Sequence, residues 1–470
     1  MVAFNLDSSL TLYLEFEGWL SESMLNLIAQ EIDEYEAVLG TKVKVGEAPQ
    51  GAPKWRIEEV PQKEFPSLTW DDKNLILTSH VSDENQFLAS LSLLQSLANS
   101  ADGRVHGKQP ETVEDAIELL IQQCKNTYPY FELRELDWDS VLAKALSNLP
   151  LAWDEFGVWS QELVAQLGDA HTAVIDSRLC GYNPPYTGEL RDGIIVLTEV
   201  PPHSAAVLAG VQQGWAIEVE NAEFWERITG ASPQQYRFIT ARNAMAIPQS
   251  SRVFHAVSSD STQQASWLEE APLPSLPEVF QLRTLDEHTV YLKLTSFLSG
   301  TGIPEEMEKL CREYSGDSTL ILDLRNNTGG NIQLANTMRS YFLREKILIG
   351  YSSFTTGTGK LSKKRERWAE PHPSSRWKGK LIVLVNAMTY SASEDFLWGL
   401  QGLDHVQILG TTTGGGSGRP RELPLGPHLD LRLSTCITYD RHKRPIEFFG
   451  IEPDGGIPDH LEQKLSQMHR

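Results

Sequence analysis

The sequence predicts a multidomain α/β protein whose main core is a mostly parallel sheet with a helical layer. Two observations carry this expectation. From about residue 285, short and continuously apolar strands alternate with helical segments, the pattern of a covered parallel sheet. The chain has 470 residues, more than one ordinary core encloses. A third observation adds a separate module: between 185 and 265, short strands and glycine turns replace helices.

Residues 1–105 read as an N-terminal α+β domain. Leu10 to Phe16 alternates as a strand does, and Ser21 to Leu39 reads as an amphipathic helix. Val43 to Val45 and Leu75 to Val81 are strand-like, Asn85 to Leu97 is helical, and Ala101 to Pro110 closes the unit with turn residues. Nothing in it points to chemistry; packing, docking or oligomerisation are its candidate roles. Residues 111–180 form a helical subdomain, with helices over Thr112–Cys124, Asp137–Leu146 and Trp153–Leu167. It ends in the polar junction Gly168-Asp169-Ala170-His171-Thr172. In the β-rich module, Gly193 to Leu197 is a strand and a short helix runs from Pro201 towards Gly210. A turn and a further strand follow over 211–217.

The core, 285–465, has apolar strands at Val290–Leu294, Leu320–Leu324, Leu381–Val385 and Val406–Leu409, with helices at Asn331–Leu343 and Ser391–Leu400. Sites in such sheets lie just beyond the carboxyl ends of the strands. Two conspicuous segments fall there: Asp323 to Gly330, and Asn386 to Glu394.

Charge and composition narrow the function classes. A formal charge of -22 opposes nucleic-acid binding. Between 357 and 380 lies a basic stretch, Lys360 to Lys380; it reads as a solvated surface loop or as a guide for an acidic partner. The four cysteines contain no CxxC pair, so neither a zinc ribbon nor a dithiol motif is expected, and no metal or cofactor is implied. Residues 1–20 mix apolar residues with Asp7, Glu15 and Glu17, unlike a signal peptide. No apolar run approaches the roughly eighteen residues of a membrane span. A soluble, cytoplasmic protein without membrane contact is the expectation.

Ser391 follows a strand and a short turn and opens a helix, where a serine can be held rigidly beside exposed amide N–H groups. The same residues also make a plain cap, since Ser391 and Glu394 are spaced as a capping box. Gly329 and Gly330 permit close backbone approach and turn amides towards a bound group, as an oxyanion hole requires; a simple strand-to-helix turn would look alike. The spacing is not a dinucleotide fingerprint. A serine nucleophile needs a base, and His171 in its polar junction is a candidate, as is Glu447 for the group behind it. Periodicity does not bring these residues together.

Over residues 111–460 the chain resembles the serine peptidases that include the C-terminal-processing, or tail-specific, proteases and the tricorn core. The resemblance rests on motifs in family order. These are Leu167 to Thr172, a PDZ-like 193–217 region, Tyr291 to Phe297, Asp323 to Gly330, Thr389 to Glu394, Gly410 to Gly415 and Gly450 to Asp454. It implies a ClpP/crotonase-like core. Tail-specific members use a Ser–Lys dyad, and Gly416 occupies the lysine position, so the chain resembles the tricorn-like Ser/His/Glu branch. That branch implies Ser391 as nucleophile, His171 as base, Glu447 as its support, and an oxyanion hole from Ala392 with Gly329 or Gly330. Two positions depart from the family: Asn326 replaces a frequent glycine, and Ala392 replaces the tricorn aspartate.

The expected activity is cleavage of peptides or protein tails through an acyl-enzyme, possible homo-oligomerisation included. The alternative is a noncatalytic relative that binds peptides or hydrophobic ligands. An esterase is a third reading, though the Gly-x-Ser-x-Gly elbow is missing.

Overall fold

A computed structural model describes residues 11–15, 28, 31–61, 64–70, 74–80, 87, 90–97, 100, 104–247, 250–270, 279–314 and 316–467. The fold is mixed α/β and uses five sheets.

The central sheet orders its strands Phe280–Asp286, Thr289–Leu294, Thr319–Asp323, Lys380–Val385 and Val406–Gly410. The last four run parallel, and only the first is antiparallel. These strands are apolar on both faces because both are covered. Leu292, Leu322 and Val383 pack with Met338 and Phe396 on one side, and Tyr291, Ile321 and Leu384 pack with Leu461 on the other. Helices Ile332–Ser340 and Ala392–Leu397 lie over the first face, each starting just beyond a strand's carboxyl end.

Two small sheets extend this core. Arg365–Ala369, Ile347–Phe354 and Cys436–Asp440 form one. The other joins Arg421–Gly426 and Leu429–Leu433 to Ala173–Asp176. That last strand belongs to the segment read as a helical subdomain. Its helices Val113–Thr127, Trp138–Ala145 and Trp153–Ala165 share one apolar core with Leu425, Leu429, Leu431 and Leu433. Thr112 and Asp137 cap the first two helices through their side chains, as their residue types favour. The 111–180 segment is thus welded to 421–437, and Ala173 pairs with Arg432.

The β-rich module is a five-stranded antiparallel sheet, Gln264–Glu270, Ser251–Val257, Ala216–Glu218, Ile194–Glu199 and Thr187–Arg191. Helix Tyr236–Ala244 packs Ala241 and Ala244 into its core.

The N-terminal unit is a six-stranded mixed sheet. The sequence pattern finds Lys42–Val45 and Asn74–Ser79 but not Lys54–Glu59 or Ser67–Trp70. Arg104–His106, expected as a closing turn, is a strand paired antiparallel with Ser67–Trp70. The expected helix at 21–39 is present as Ile32–Leu39, and most of its first half lies outside the described residues; so do residues 85 and 86 of the expected 85–97 helix, seen at Leu93–Leu97. Among the described residues, no helix is long and apolar enough to cross a membrane.

Residues 365–369 correct one expectation. This part of the basic stretch is a strand rather than a solvated loop. Arg365 pairs with Asp33 and Glu36 of helix Ile32–Leu39, and Arg367 also pairs with Asp33.

Candidate active site

Ser391 lies in the sharp turn between strand Lys380–Val385 and helix Ala392–Leu397. Its backbone has φ 59° and ψ -123°, a region that costs about 1–3 kcal/mol for a residue with a side chain. The neighbouring 324–330 loop holds it there. Tyr390 N donates to Asn327 O at 3.0 Å, Thr389 Oγ1 to Leu324 O at 2.8 Å and Ser393 Oγ to Asn327 O at 3.0 Å. Gly329, at φ 103°, passes so close that a Cβ there would sit 2.8 Å from Ser391 Cβ and Ala392 N. A strained serine turn therefore exists without the Gly-x-Ser-x-Gly signature. The required small residue comes from another strand's loop.

Ser391 Oγ is 2.9 Å from His171 Nε2. The two residues are 220 positions apart, and the Ala173–Asp176 strand brings the histidine in. Asp169 shapes the junction. It accepts the His171 amide at 2.9 Å, Thr172 Oγ1 at 2.7 Å and Ser434 Oγ at 2.6 Å. The Tyr390 ring lies under the imidazole, with centroids 4.5 Å apart. Burial lowers the His171 pKa to about 3, with Arg432 adding to the effect and Asp169 opposing it. The ring is therefore neutral, with a lone pair available for the serine proton.

Glu447, expected to support the base, makes no direct bond to it. It is buried, and its Oε1 accepts Ser417 N at 2.5 Å. His171 Nδ1 has no hydrogen-bond partner among the described residues, so no bond joins Glu447 to the base. The physical reason is local. Phe448 N donates to Gly415 O, which pins residue 447 against the 415–417 loop. Burial, with the nearby Asp169 adding to it, pushes the Glu447 carboxyl well up from its ordinary range.

Of the two oxyanion glycines, Gly329 donates its N–H to Asn327 Oδ1 at 2.9 Å. Gly330 forms a bridge to Phe297 through its neighbours, with Phe297 N on Gly329 O and Asn331 N on Phe297 O. Among the described residues neither its own amide nor that of Ala392, at the first position of its helix, donates to an acceptor.

Gly416 is the position that the family resemblance sets against the lysine of a Ser–Lys dyad. A Cβ there would stand 2.1 Å from the Tyr390 hydroxyl. Tyr390 fills the space that a side chain at 416 would need. Asn326 tolerates φ 64° as asparagine does. Its amide and the Asn386 side chain bond at 3.0 Å, and its side chain reaches Glu199 of the β-rich module.

Glu394 is the residue whose role the sequence pattern understates. It reads as half of a capping box and does accept Ser391 N at 3.2 Å. The same buried carboxylate also accepts Thr413 Oγ1 at 2.5 Å, Gly415 N at 2.9 Å and Gly416 N at 2.7 Å. Burial raises its pKa to about 7 against these hydrogen bonds. Only the return of the 413–416 loop, invisible to local spacing, creates this environment.

The comparisons agree with the geometry. Residues 288–457 match the family model of Peptidase family S41. A "Carboxy-terminal-processing protease" of Bartonella bacilliformis is 28% identical over 144 residues, 31% of this chain and 32% of that protein. The match thus spans about a third of this curated relative's length. Two solved structures share the fold. Mature CPAF, solved as a complex with lactacystin, has a TM-score of 0.56 at 14% identity, covering 76% of this chain and 96% of that one. The photosystem II D1 C-terminal processing protease has a TM-score of 0.50 at 17% identity, covering 74% and 94%. The similarity to Peptidase family S41 is thus confined to residues 288 to 457 of this chain.

Proposed function

We propose that the protein is a serine-type peptidase that cleaves peptides or protein tails through an acyl-enzyme at Ser391. The observation that carries the reading is the 2.9 Å contact between Ser391 Oγ and the neutral His171 Nε2. His171 takes the serine proton as Oγ attacks the peptide carbonyl, then gives it to the leaving amine. The Ala392 and Gly330 amides receive the oxyanion. Water, deprotonated by His171, then releases the acid product and restores the serine.

Behind the pair, Asp169 fixes the histidine loop and is the carboxylate that favours the imidazolium as it forms. Glu447, its carboxyl raised by burial, supports the arrangement through the Ser417 loop. We read the 187–270 sheet and its helix as a PDZ-like module that presents peptide, and the core as ClpP/crotonase-like. Action in the cytoplasm, with homo-oligomerisation, completes the proposal. The Bartonella relative's printed name supports processing of carboxyl termini as the substrate class.

Incubation of the full chain with a serine-reactive phosphonate, followed by adduct mapping, tests the reading. Labelling at Ser391 that is abolished by His171→Ala supports it. Folded protein that neither labels nor cleaves a peptide library would overturn it. Free and amidated C-termini in the library separate tail recognition from general peptide cleavage.

A further inference from the structure

Behind the helix that begins after Ser391 lies a cavity of about 190 Å³. Helix Ile332–Ser340 and strand Arg365–Ala369 supply other parts of its wall. Three guanidinium groups, Arg339, Arg367 and Arg419, face it together with Asp395. None of them takes part in the chemistry at Ser391.

Their hydrogen bonding is unbalanced. Arg339 is 4% exposed, and its Nη2 donates to Asn336 Oδ1 at 2.7 Å while Nη1 reaches the carbonyls of Asp395 and Trp398. Its buried Nε has no partner among the described residues. Arg367 is paired with Asp33, which Arg365 shares. Burial and the like charge of Arg419 both act against its protonated form. Arg419 is attracted to Asp395, Glu31 and Glu34 through space, yet among the described residues it forms no ion pair within the 4.0 Å limit. Asp395, 5% exposed, has three guanidiniums around it and none in direct contact through its carboxylate. Glu366, at the exposed rim, has its carboxylate on Trp368 Nε1 at 3.1 Å.

Buried donors in folded proteins find acceptors. Here three guanidiniums share a space large enough for a small ion with two carboxylates, Asp395 and the rim's Glu366, the latter already engaged by Trp368. Converging guanidinium forks match the several oxygens of a tetrahedral anion, each of which accepts charge-assisted bonds. We propose that this cavity is a binding site for a small tetrahedral oxyanion of phosphate size, held by Arg339, Arg367 and Arg419. Asp395 sits at its inner edge and repels the ligand. The anion therefore binds by virtue of the cationic excess, and its affinity is set by the balance between the arginines and the two carboxylates.

The test uses the full chain titrated with inorganic phosphate at constant ionic strength, chloride making up the balance. Trp368 and Trp398 line the cavity, so intrinsic fluorescence reports occupancy, and calorimetry gives the stoichiometry. Saturable binding of one phosphate, displaced by sulfate, is expected. Arg419→Gln should weaken it by about tenfold or more, the loss of one or two charge-assisted hydrogen bonds. Asp395→Asn should strengthen it, because the repelling charge is removed. Arg191→Gln, on the exposed edge of the β-rich module, should leave it unchanged. Absence of saturation, equal affinity in wild type and Arg419→Gln, or weaker binding in Asp395→Asn would each overturn the proposal. If Arg419→Gln fails to fold, as a thermal melt would show, the opposite-signed Asp395→Asn result decides.

Discussion

Tyr390 and Gly416 share one space: a Cβ at position 416 would lie 2.1 Å from the tyrosine hydroxyl. The tyrosine ring in turn packs against the His171 ring at a 31° tilt, 4.5 Å between centroids. The absence of a lysine at 416 and the presence of a histidine at 171 are therefore one structural choice, with Tyr390 linking them.

Restoring the lysine should consequently fail to restore a base. Gly416→Lys must displace Tyr390 and with it the shelf under His171. We expect peptide cleavage to fall by about a hundredfold or more, the usual scale for a mispositioned general base. The double variant Gly416→Lys/His171→Ala should be no more active than His171→Ala alone. Phosphonate labelling rates of the three variants, with melting temperatures as a folding control, check this.

The pH profile should separate two groups. His171, lowered to about 3, keeps its lone pair throughout the usual assay range, so no ordinary imidazole limb near 6.5 should appear. Glu394, raised to about 7, carries charge only above that pH. Its ionised form accepts the Ser391, Gly415 and Gly416 amides and the Thr413 hydroxyl. Protonation weakens this set, so kcat should rise as pH passes through about 7. Glu394→Gln should remove that rise while KM changes little. A rise that persists in Glu394→Gln would assign the titration to another group.

The same shifts predict the sign of stability changes. His171 binds its proton less readily when folded, so its contribution diminishes as pH falls from 6.5 towards about 3. Glu394 binds its proton more readily when folded. Its contribution is full below the unfolded value of 4.5 and is lost as pH rises through about 7. Melting temperature against pH should therefore lose its acid-side slope partly in His171→Ala and flatten between 4.5 and 7 in Glu394→Gln.

Gly329 should tolerate no side chain. Alanine there would need φ near 103° and would press 2.8 Å against Ser391 Cβ and Ala392 N. The strain of an L-residue in that region is about 1–3 kcal/mol before the clash is added. Gly329→Ala should lower the melting temperature and reduce Ser391 labelling more than substrate affinity. Unchanged labelling would show that the 324–330 loop does not set the nucleophile's position.

What the sequence reveals of this site follows the range of the interactions. Ser391, Gly329 and Gly330 are visible because each sits at the end of an apolar strand, where local pattern and turn chemistry suffice. His171 is nameable as a base only through family order, since a three-stranded sheet across distant segments delivers it. Glu447 illustrates the limit. Its motif position suggests support of His171 but not the route, and its carboxylate is held by the 415–417 loop. Arg365 looks solvated for the same reason, because its counter-charge at Asp33 lies 332 positions earlier.

Those distant charges give the last prediction. Arg421 is buried with Glu31 and Glu34, the latter 1% exposed, and lies near the Tyr35 ring. Burial raises the Glu34 carboxyl even though Arg421 counters it, while the Glu31 carboxyl is held down by the same arginine. Removal of the arginine alone takes both ion pairs from the Glu31 and Glu34 carboxylates in a dry interface, at a cost of about 3–5 kcal/mol. Replacement of the whole set by neutral groups avoids that penalty. Arg421→Met should therefore lower the melting temperature sharply, and the triple variant Arg421→Met/Glu31→Gln/Glu34→Gln should recover most of the loss. Because several units share the chain, the full melting profile is the proper readout, not one fitted free energy. Detachment of the N-terminal unit alone would appear as a separate early transition in Arg421→Met, with the later transition unmoved. If both variants melt like the wild type, the cluster is not what fastens helix Ile32–Leu39 to the peptidase core.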